Sequence, residues 1–417
     1  MQANTNGRTS SCTPDPCAHP LTAAAPWEDE RTWLFVEQHA NDDPTRLLLG
    51  SHAGVDLRFA IAQIEGRQRM RSKLPTLSTV PRFVFPPKLN CEQCSSEATA
   101  AYKASLLPIG GCVADLTGGL GIDTYYLARR ASTAYYCELN PTLHDTAAHN
   151  FALLGQTNIT TACTDGLAWL KTNEAQPLDM IYADPARRDD LGRRVYAMEA
   201  CEPNLVPELP WMLQRAACIL IKASPMVDIA DLLGRLPSVA AVHILSVGGE
   251  CKEVLLELRA AAEEPLLHIV GLMPDGGIRF HLTTTRRAEA QAEVRFAASV
   301  SRYLYLPDAA LLKGGVFRSL SAWYGVEKLD RNTHLYTAPH HVADFPGRCL
   351  EVEETVALHA KTLRTLLPEG QAHVLSHNYP VGADALRHQL RLREGGNLYV
   401  VATTLSGRKV GLLCRRK

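Results

Sequence analysis

The sequence predicts an α/β fold: a doubly wound, Rossmann-like sheet of seven strands with an antiparallel last strand, preceded by a helical N-terminal region and followed by two small α+β domains. Three observations carry this. From Gly110 onward, short apolar runs alternate with helical segments, the pattern of parallel strands joined by crossover helices. The last two runs, Val242 to Val247 and Glu253 to Leu258, are joined by a few residues around "GGECK", too short for a parallel crossover and suited to a hairpin. After about Ala262 the alternation stops, and hairpins and isolated helices take over.

In chain order, the stretch from Trp27 to Leu107 carries helical spacing, with Asp43 and Pro44 as a cap and first-turn pair and Val55 to Met70 as a longer amphipathic segment. The expected strands are Cys112 to Leu116, Thr133 to Glu138, Asn158 to Cys163, Asp179 to Ala183, Cys218 to Lys222, and the two closing runs. Then "HIVGLMPDGGIRFHLTTT" reads as a hairpin turning at Asp275, Gly276 and Gly277. "DAALLKGGVFRSLSAWYG" reads as a helix capped by Asp308. From about Cys349 the order is strand, helix ("AKTLRTLL"), strand, helix ("GADALRHQL") and a final hairpin turning at Ser406 and Gly407. The expected domains are residues 1–108, 109–260, 261–345 and 346–417.

Composition excludes several classes. The 43 basic and 44 acidic residues leave a net charge of −1, so no long-range field advertises a polyanionic partner. The polar opening lacks an apolar signal core, and runs such as "AACILIKASPMV" are too short to span a bilayer. A soluble cytoplasmic protein is expected. Of the 12 cysteines, Cys112, Cys137 and Cys218 sit in strand-like runs, where a thiol acts as a small hydrophobe. Cys91 and Cys94 form a CxxC with no second pair at ligand spacing, so no metal is expected there. Cys12 and Cys17 fall in a tail expected to be disordered.

The chemistry concentrates in "VADLTGGLGIDTYYLARR", Val113 to Arg130. It lies at the carboxyl end of the first strand, where an open parallel sheet places its ligand cleft. Gly119 and Gly121 allow a tight turn and close approach of backbone to ligand, but Thr124 stands where a dinucleotide fingerprint needs its third glycine. Asp115 just before the loop suits a ligand bearing positive charge better than a pyrophosphate. Glu138 ends the second strand, 17 residues beyond Gly121, near the spacing at which a carboxylate meets ribose hydroxyls. Asp165, after the third strand, offers an acceptor for an adenine amino group. Each acid, Asp165 above all, also reads as a helix cap.

Taken together, "VADLTGGLGID", "CELN", "TDG" and "YADPAR" resemble the successive motifs of class I S-adenosylmethionine-dependent methyltransferases, over roughly Cys91 to Leu258. The resemblance implies that Asp115, Thr117, Gly118, Gly119, Gly121 and Asp123 surround the methionine moiety and sulfonium of that cofactor. It further implies that Glu138 holds the ribose and that Asp165 with Gly166 faces the adenine. Thr117 departs from the pattern, standing where many members carry the loop's first glycine. In "NCEQCSSEATAAYKA", Gln93, Ser95 or Ser96 would cap either the cofactor or a helix.

"DMIYADPARRDD" places Asp184 and Pro185 at the end of the fourth strand. An exocyclic base amine shares its lone pair with the ring. Hydrogen bonds to the Asp184 carboxylate and the Pro185 carbonyl would draw it out of conjugation and aim it. This is similar to the Asp/Asn-Pro-Pro-aromatic motif of amino-methyltransferases, with Ala186 for the second proline and Arg187 for the aromatic, whose guanidinium can stack on a base. "DPAR" also resembles the motif of RNA uracil-C5 methyltransferases, but those attack with a cysteine after the fifth strand, where this chain reads "IKASP" without a thiol. A plain strand-ending turn is the other reading of Asp184 and Pro185. Lys222, Ser224, Asp228, Glu250 and Lys252 project toward the same rim and are expected to contact substrate.

The last segment carries Arg387, Arg391, Arg393, Arg408, Lys409, Arg415, Arg416 and Lys417 against only Asp384 and Glu394, a local excess of the kind that neutralises phosphates. "NYPVGADALRHQLRLREGGNLYVVATT" resembles the THUMP-like domain found behind methyltransferase domains, and "YLYLPDAALLKGGVFRSL" with "NTHLYT" resembles the ferredoxin-like module preceding it. The expected function is S-adenosylmethionine-dependent methylation of a base nitrogen in structured RNA, such as tRNA or rRNA. Alternatives are a methyltransferase of proteins or small molecules, and an inactive RNA-binding homologue. No membrane or obligate protein partner is expected.

Overall fold

The computed structural model describes residues 25–173, 177–187, 198 and 201–417, so the expectation for Cys12 and Cys17 lies outside the described residues. The N-terminal layer contains α1 (Glu30–Gln38), α2 (Pro44–Leu47), α3 (Leu57–Met70), α4 (Lys88–Gln93) and α5 (Glu97–Ser105). Its starts follow capping chemistry: Asp43 accepts from Thr45 N with Pro44 in the first turn, and Asp56 accepts from Phe59 N. Trp33, Ile61 and Ile64 bury the α1–α3 contact, while α5 packs along the first helix of the next domain.

That domain is built on β1 (Cys112–Asp115), β2 (Thr133–Glu138), β3 (Ile159–Cys163) and β4 (Met180–Ala183). A short antiparallel pair follows, β5 (Ala186–Arg187) with β6 (Cys201–Glu202). Next come β7 (Ile219–Ala223), β8 (Val239–Val247) and β9 (Glu250–Leu258). The crossover helices are α6 (Ile122–Ala128), α7 (Pro141–Leu153), α8 (Gly166–Thr172), α9 (Leu209–Arg215) and α10 (Ile229–Arg235). The strands order as β3-β2-β1-β4-β7-β9-β8, with β9 antiparallel to both neighbours. Both β1 and β2, and β1 and β4, run parallel, so the strand ends carrying Asp115, Glu138 and Asp184 share one rim.

The strand count differs from expectation, with nine strands among the described residues rather than seven. The hairpin β10 (Leu266–Leu272) and β11 (Ile278–Thr285), expected to open the next module, extends this sheet instead, with β10 parallel to β8. The reason is legible in hindsight. Leu267, Ile269, Val270 and Leu272 form a nearly continuous buried run, which demands cover on both faces, whereas β11 alternates as an edge strand should.

The remaining chain forms α11 (Arg286–Gln291) and one seven-stranded sheet. Its strands are β12 (Tyr303–Pro307), β13 (Glu327–Asp330), β14 (Thr333–Ala338), β15 (Gly347–Val356), β16 (His373–Ser376), β17 (Leu398–Leu405) and β18 (Arg408–Arg416), and they order as β13-β14-β12-β15-β18-β17-β16. The single helix expected from Asp308 is two, α12 (Ala309–Gly314) and α13 (Arg318–Tyr324), broken where Gly315 takes φ +69°. Asp308 caps the first, as expected. Helices α14 (Ala360–Leu366) and α15 (Ala383–Leu390) cover the far end of the sheet.

The two sheets share one core. Helix α12 packs on β8, β9 and β10, and Tyr305, Leu311, Leu320 and Tyr336 join Ile244, Leu256 and Ile269 in one buried cluster. Glu289 of α11 accepts from the backbone N–H groups of Phe317, Arg318 and Ser319, and Arg279 pairs with Asp308. Among the described residues no helix is long and apolar enough to cross a membrane. A Cβ on Gly314 would stand 3.1 Å from both Ile244 Cδ1 and Ile269 Cδ1. Gly314→Val is therefore expected to destabilise the protein by about 1–3 kcal/mol through overpacking, and to lower the urea midpoint for both sheets together. Tryptophan fluorescence and far-UV circular dichroism would check this, and separate transitions would contradict a shared core.

Candidate active site

The glycine loop is clamped by β2. Tyr136 Oη donates to Gly119 O at 2.7 Å, and Gly119 N donates to Glu138 Oε2 at 2.8 Å. Gly119 and Gly121 adopt φ +55° and +80°, left-handed conformations that glycine takes without strain. Gly121 also has a packing reason, since a Cβ there would meet Phe151 at 2.5 Å. The side of Gly119 where a Cβ would project is open, with Thr117 O the nearest atom at 3.9 Å among the described residues. The close approach expected of both glycines thus has room at Gly119, whereas the Cβ site of Gly121 faces the protein interior. Gly118 and Gly166 likewise pack against the protein, on the Tyr136 ring and on the Leu116 carbonyl.

Asp115 is buried at the foot of the loop, with Oδ1 accepting from Thr117 N at 3.0 Å and Oδ2 from Thr124 Oγ1 at 2.6 Å. Burial pushes its carboxyl up to about 7 against the pull of those bonds. Glu138 Oε1 accepts from Asn140 N at 2.7 Å, so both its oxygens already hold backbone. Asp165 caps α8 through Ala168 N at 2.8 Å. Leu139, 70% exposed beside Glu138, is an apolar ledge on the same rim that reading the acids alone passed over.

Asp123 is placed in a buried ionic cluster. Its Oδ2 accepts from Ser95 Oγ at 2.7 Å and Tyr182 Oη at 2.8 Å. Lys103 Nζ, with no exposed surface, stands 2.8 Å from Asp123 Oδ1, 2.9 Å from Glu253 Oε2 and 2.6 Å from Ser95 Oγ. Its approach to Asp123 Oδ1 is a charge contact rather than a directed hydrogen bond, which leaves that buried oxygen with an unused acceptor. Burial pushes the Asp123 carboxyl up, but Lys103 and then Lys222 more than offset it and hold it low. Ser96 caps α5 through Thr99 N, the ordinary helix role. Cys91 and Cys94 donate to the Pro86 and Cys91 carbonyls, and burial raises their thiols to about 11 and about 12.

At the end of β4, Asp184 N donates to Thr117 Oγ1 at 2.7 Å, joining this turn to the glycine loop. Lys222 Nζ lies 2.5 Å from Asp184 Oδ2. Pro185 is buried, and the backbone of Arg187 in β5 pairs with Cys201 in β6. The other residues expected to contact substrate are dispersed. Ser224 accepts from Met226 N, and Asp228 caps α10. Glu250 pairs with Lys252 at the exposed hairpin. The basic C-terminal residues lie on the second sheet and its helices. There Arg387 pairs with Asp384, Arg393 donates to Glu369 O, Arg391 ends α15, Arg415 pairs with Glu353, and Lys409 donates to Thr404 and Asn378 O. Arg408 and Arg416 are exposed. Lys103, Glu253 and Tyr182 were missed by sequence reasoning. The available signal was a lysine inside an alanine-rich helix, "EATAAYKAS".

The strand order, the loop at the first strand's end and the acids beyond it define a class I S-adenosylmethionine-dependent methyltransferase fold. Residues 303–346 match a ferredoxin-like domain family and residues 347–416 a THUMP domain-like family. The crystal structure of a proposed methyltransferase from Porphyromonas gingivalis W83 is 33% identical, covering 93% of this chain and 99% of that one with a TM-score of 0.82. An uncharacterised S-adenosylmethionine-dependent methyltransferase of Mycobacterium tuberculosis H37Rv is 25% identical over 345 residues, 81% of this chain and 90% of that protein. The chain belongs to the S-adenosylmethionine-dependent methyltransferases that carry these ferredoxin-like and THUMP-like modules.

Removing the buried ammonium would leave Asp123 and Glu253 without their close counter-charge. Lys103→Met is expected to cost about 3–5 kcal/mol at pH 7. Without the lysine, burial would push the Asp123 carboxyl upward with less opposition, so the loss should shrink as pH falls and it protonates. Denaturant melts at pH 5 and pH 8 would check both the size and the sign.

Proposed function

We propose that the protein methylates a base nitrogen in structured RNA, with S-adenosylmethionine as methyl donor, in the cytoplasm. The observation that carries this reading is the bond from Asp184 N to Thr117 Oγ1, which fixes the acceptor-side turn "DP" against the donor-side glycine loop. When bound, the donor supplies an electrophilic methyl group on a cationic sulfonium. The residues present fit such a group. Among the described residues around the loop, three carboxylates (Asp123, Asp184, Glu253) face two ammonium groups (Lys103, Lys222), an excess of one negative charge with Asp115 beside it. Gly119 offers open backbone, Glu138 and Asp165 line the rim beyond it, and Leu139 offers an apolar face for a purine.

On the acceptor side, Asp184 and the Pro185 carbonyl are the hydrogen-bond acceptors that would orient an N–H of the base and turn its lone pair outward. The support for RNA is the THUMP domain-like match and the basic residues of that module, among them Arg408 and Arg416. These would hold phosphates while the rim receives the base.

Two outcomes are expected. Wild-type protein should transfer tritium from labelled donor into total RNA, recovered as an N-methylated nucleoside on digestion, and Asp184→Ala should lower the rate about 100-fold or more. Label appearing only in protein or small molecules would overturn the RNA assignment. Donor binding should also depend on pH. A cationic ligand favours the ionised form of Asp115, so calorimetric affinity should rise between pH 6 and pH 8, by roughly fivefold to tenfold. Asp115→Asn should flatten that profile, and the neutral-sulfur product S-adenosylhomocysteine should show a weaker dependence.

A further inference from the structure

Lys222 is not spent on the protein interior. Its side chain retains 14% exposure and that of Asp184 35%, so the pair opens on the rim rather than closing the core. Of its three N–H donors, the one directed at Asp184 Oδ2 is its hydrogen bond among the described residues. Asp184 is held from two sides, its backbone N by Thr117 Oγ1 and its carboxylate by Lys222. Among the described residues the second oxygen, Oδ1, accepts no hydrogen bond, and the ammonium beside it makes no other. A carboxylate acceptor and an ammonium donor thus stand next to each other at the end of β4 and β7.

We propose that Lys222 is a positioning residue for the methyl acceptor, fixing the Asp184 carboxylate and forming with it an acceptor–donor pair that reads an N–H adjacent to a lone pair, the amidine or lactam edge of a nucleobase. The nucleobase part rests on the function proposed above, whereas the Lys222–Asp184 coupling does not. Chemically the pair suits orientation more than proton removal. Asp184 and its neighbours hold Lys222 well above the ordinary lysine range despite burial, so it stays an ammonium and takes up no proton, while Asp184, which burial keeps above the ordinary carboxylate range, already has Oδ2 engaged by that ammonium. The proton released from the methylated nitrogen therefore leaves to water or buffer.

Among the described residues, the groups that act on the ionisation of Asp184 are Lys222 on β7, Lys103 on α5, Asp123 on α6, Asp115 on β1 and Tyr182 on β4, with Glu253 on β9 acting on Lys222 in turn. Burial is the largest influence and raises the carboxyl, while Lys222 is the largest opposing one.

The test begins without any acceptor. In protein labelled with 13C at aspartate carboxyls, the Asp184 resonance is assigned by its loss in Asp184→Asn and titrated from pH 3.5 to 8. Lys222→Gln should raise its midpoint by about one pH unit or more, and Lys222→Arg should return it close to wild type. An unchanged midpoint in Lys222→Gln would overturn the coupling. Should that variant not fold, the isosteric Asp184→Asn reads the pair from the other end. The 15N ammonium signal of Lys222, protected in wild type, should then exchange rapidly, and persistence of its protection would overturn the coupling equally.

The kinetic arm uses the RNA fraction that accepts tritium. Lys222→Gln should lower kcat roughly tenfold or more and move the acid limb of the pH profile upward, with Lys222→Arg recovering most of the rate. A ribose-methylated or carbon-methylated nucleoside would overturn the edge reading. No transfer into RNA by wild type would overturn the RNA assignment and the edge reading with it, and leave the coupling to stand or fall on the titration.

Discussion

Lys103 carries a charge with no exposed surface, and the arrangement of the site depends on what surrounds it. Its ammonium reaches Asp123 after the glycine loop, Glu253 on the antiparallel strand and Ser95 in the N-terminal layer, so one cation ties three separate parts of the chain. A buried ion pair rarely adds stability over a well-packed hydrophobic replacement, because desolvating each ion costs several kcal/mol. What it supplies is position. Asp123 and Glu253 cannot drift without stranding a charge, so α6 and β9 are locked to α5. The N-terminal helices are in this sense part of the site, since α5 contributes its central cation.

A second constraint acts on the loop itself. Tyr136 and Glu138, two residues apart on β2, seize the carbonyl and the N–H of the same glycine. Side chains alternate along a strand, so residues two apart share a face and both reach Gly119. The loop is therefore shaped by the protein before any ligand arrives, which spares binding the entropy of ordering it. Glu138 has a structural task alongside any contact with a ribose.

Much of this was legible because periodicity and capping are local. The seven strands expected of the first sheet lie within a few residues of their predicted positions, and Asp43, Asp165 and Asp308 cap helices as their surroundings suggested. What escaped was non-local. Whether β10 joins the first or the second sheet depends on which apolar edge is free, and no window of sequence contains that edge. The break between α12 and α13 was marked by Gly314 and Gly315, but helical periodicity on both sides concealed it. Lys103 and Glu253 are 150 residues apart, and each alone reads as an ordinary surface charge.

The sharing of one core between the two sheets bears on how a large acceptor would meet a small site. If the C-terminal module were tethered by a flexible linker, its grip on a polyanion would add affinity but leave the reacting base free to wander. Here β12 to β18 form one sheet spanning both family matches, α12 buries itself on the first sheet, and Glu289 pins the start of α13 through three backbone N–H groups. Rotating one sheet against the other would open that packed cluster and leave the Glu289 carboxylate without its donors. For the proposed RNA acceptor such a frame would work as a ruler, with the spacing between the basic residues of the second sheet and the Asp184 turn set by the fold, and an acceptor would be selected by whether its shape spans that distance. Selectivity of this kind would need few base contacts, because phosphate contacts would position the backbone and the small site at the rim would read one edge.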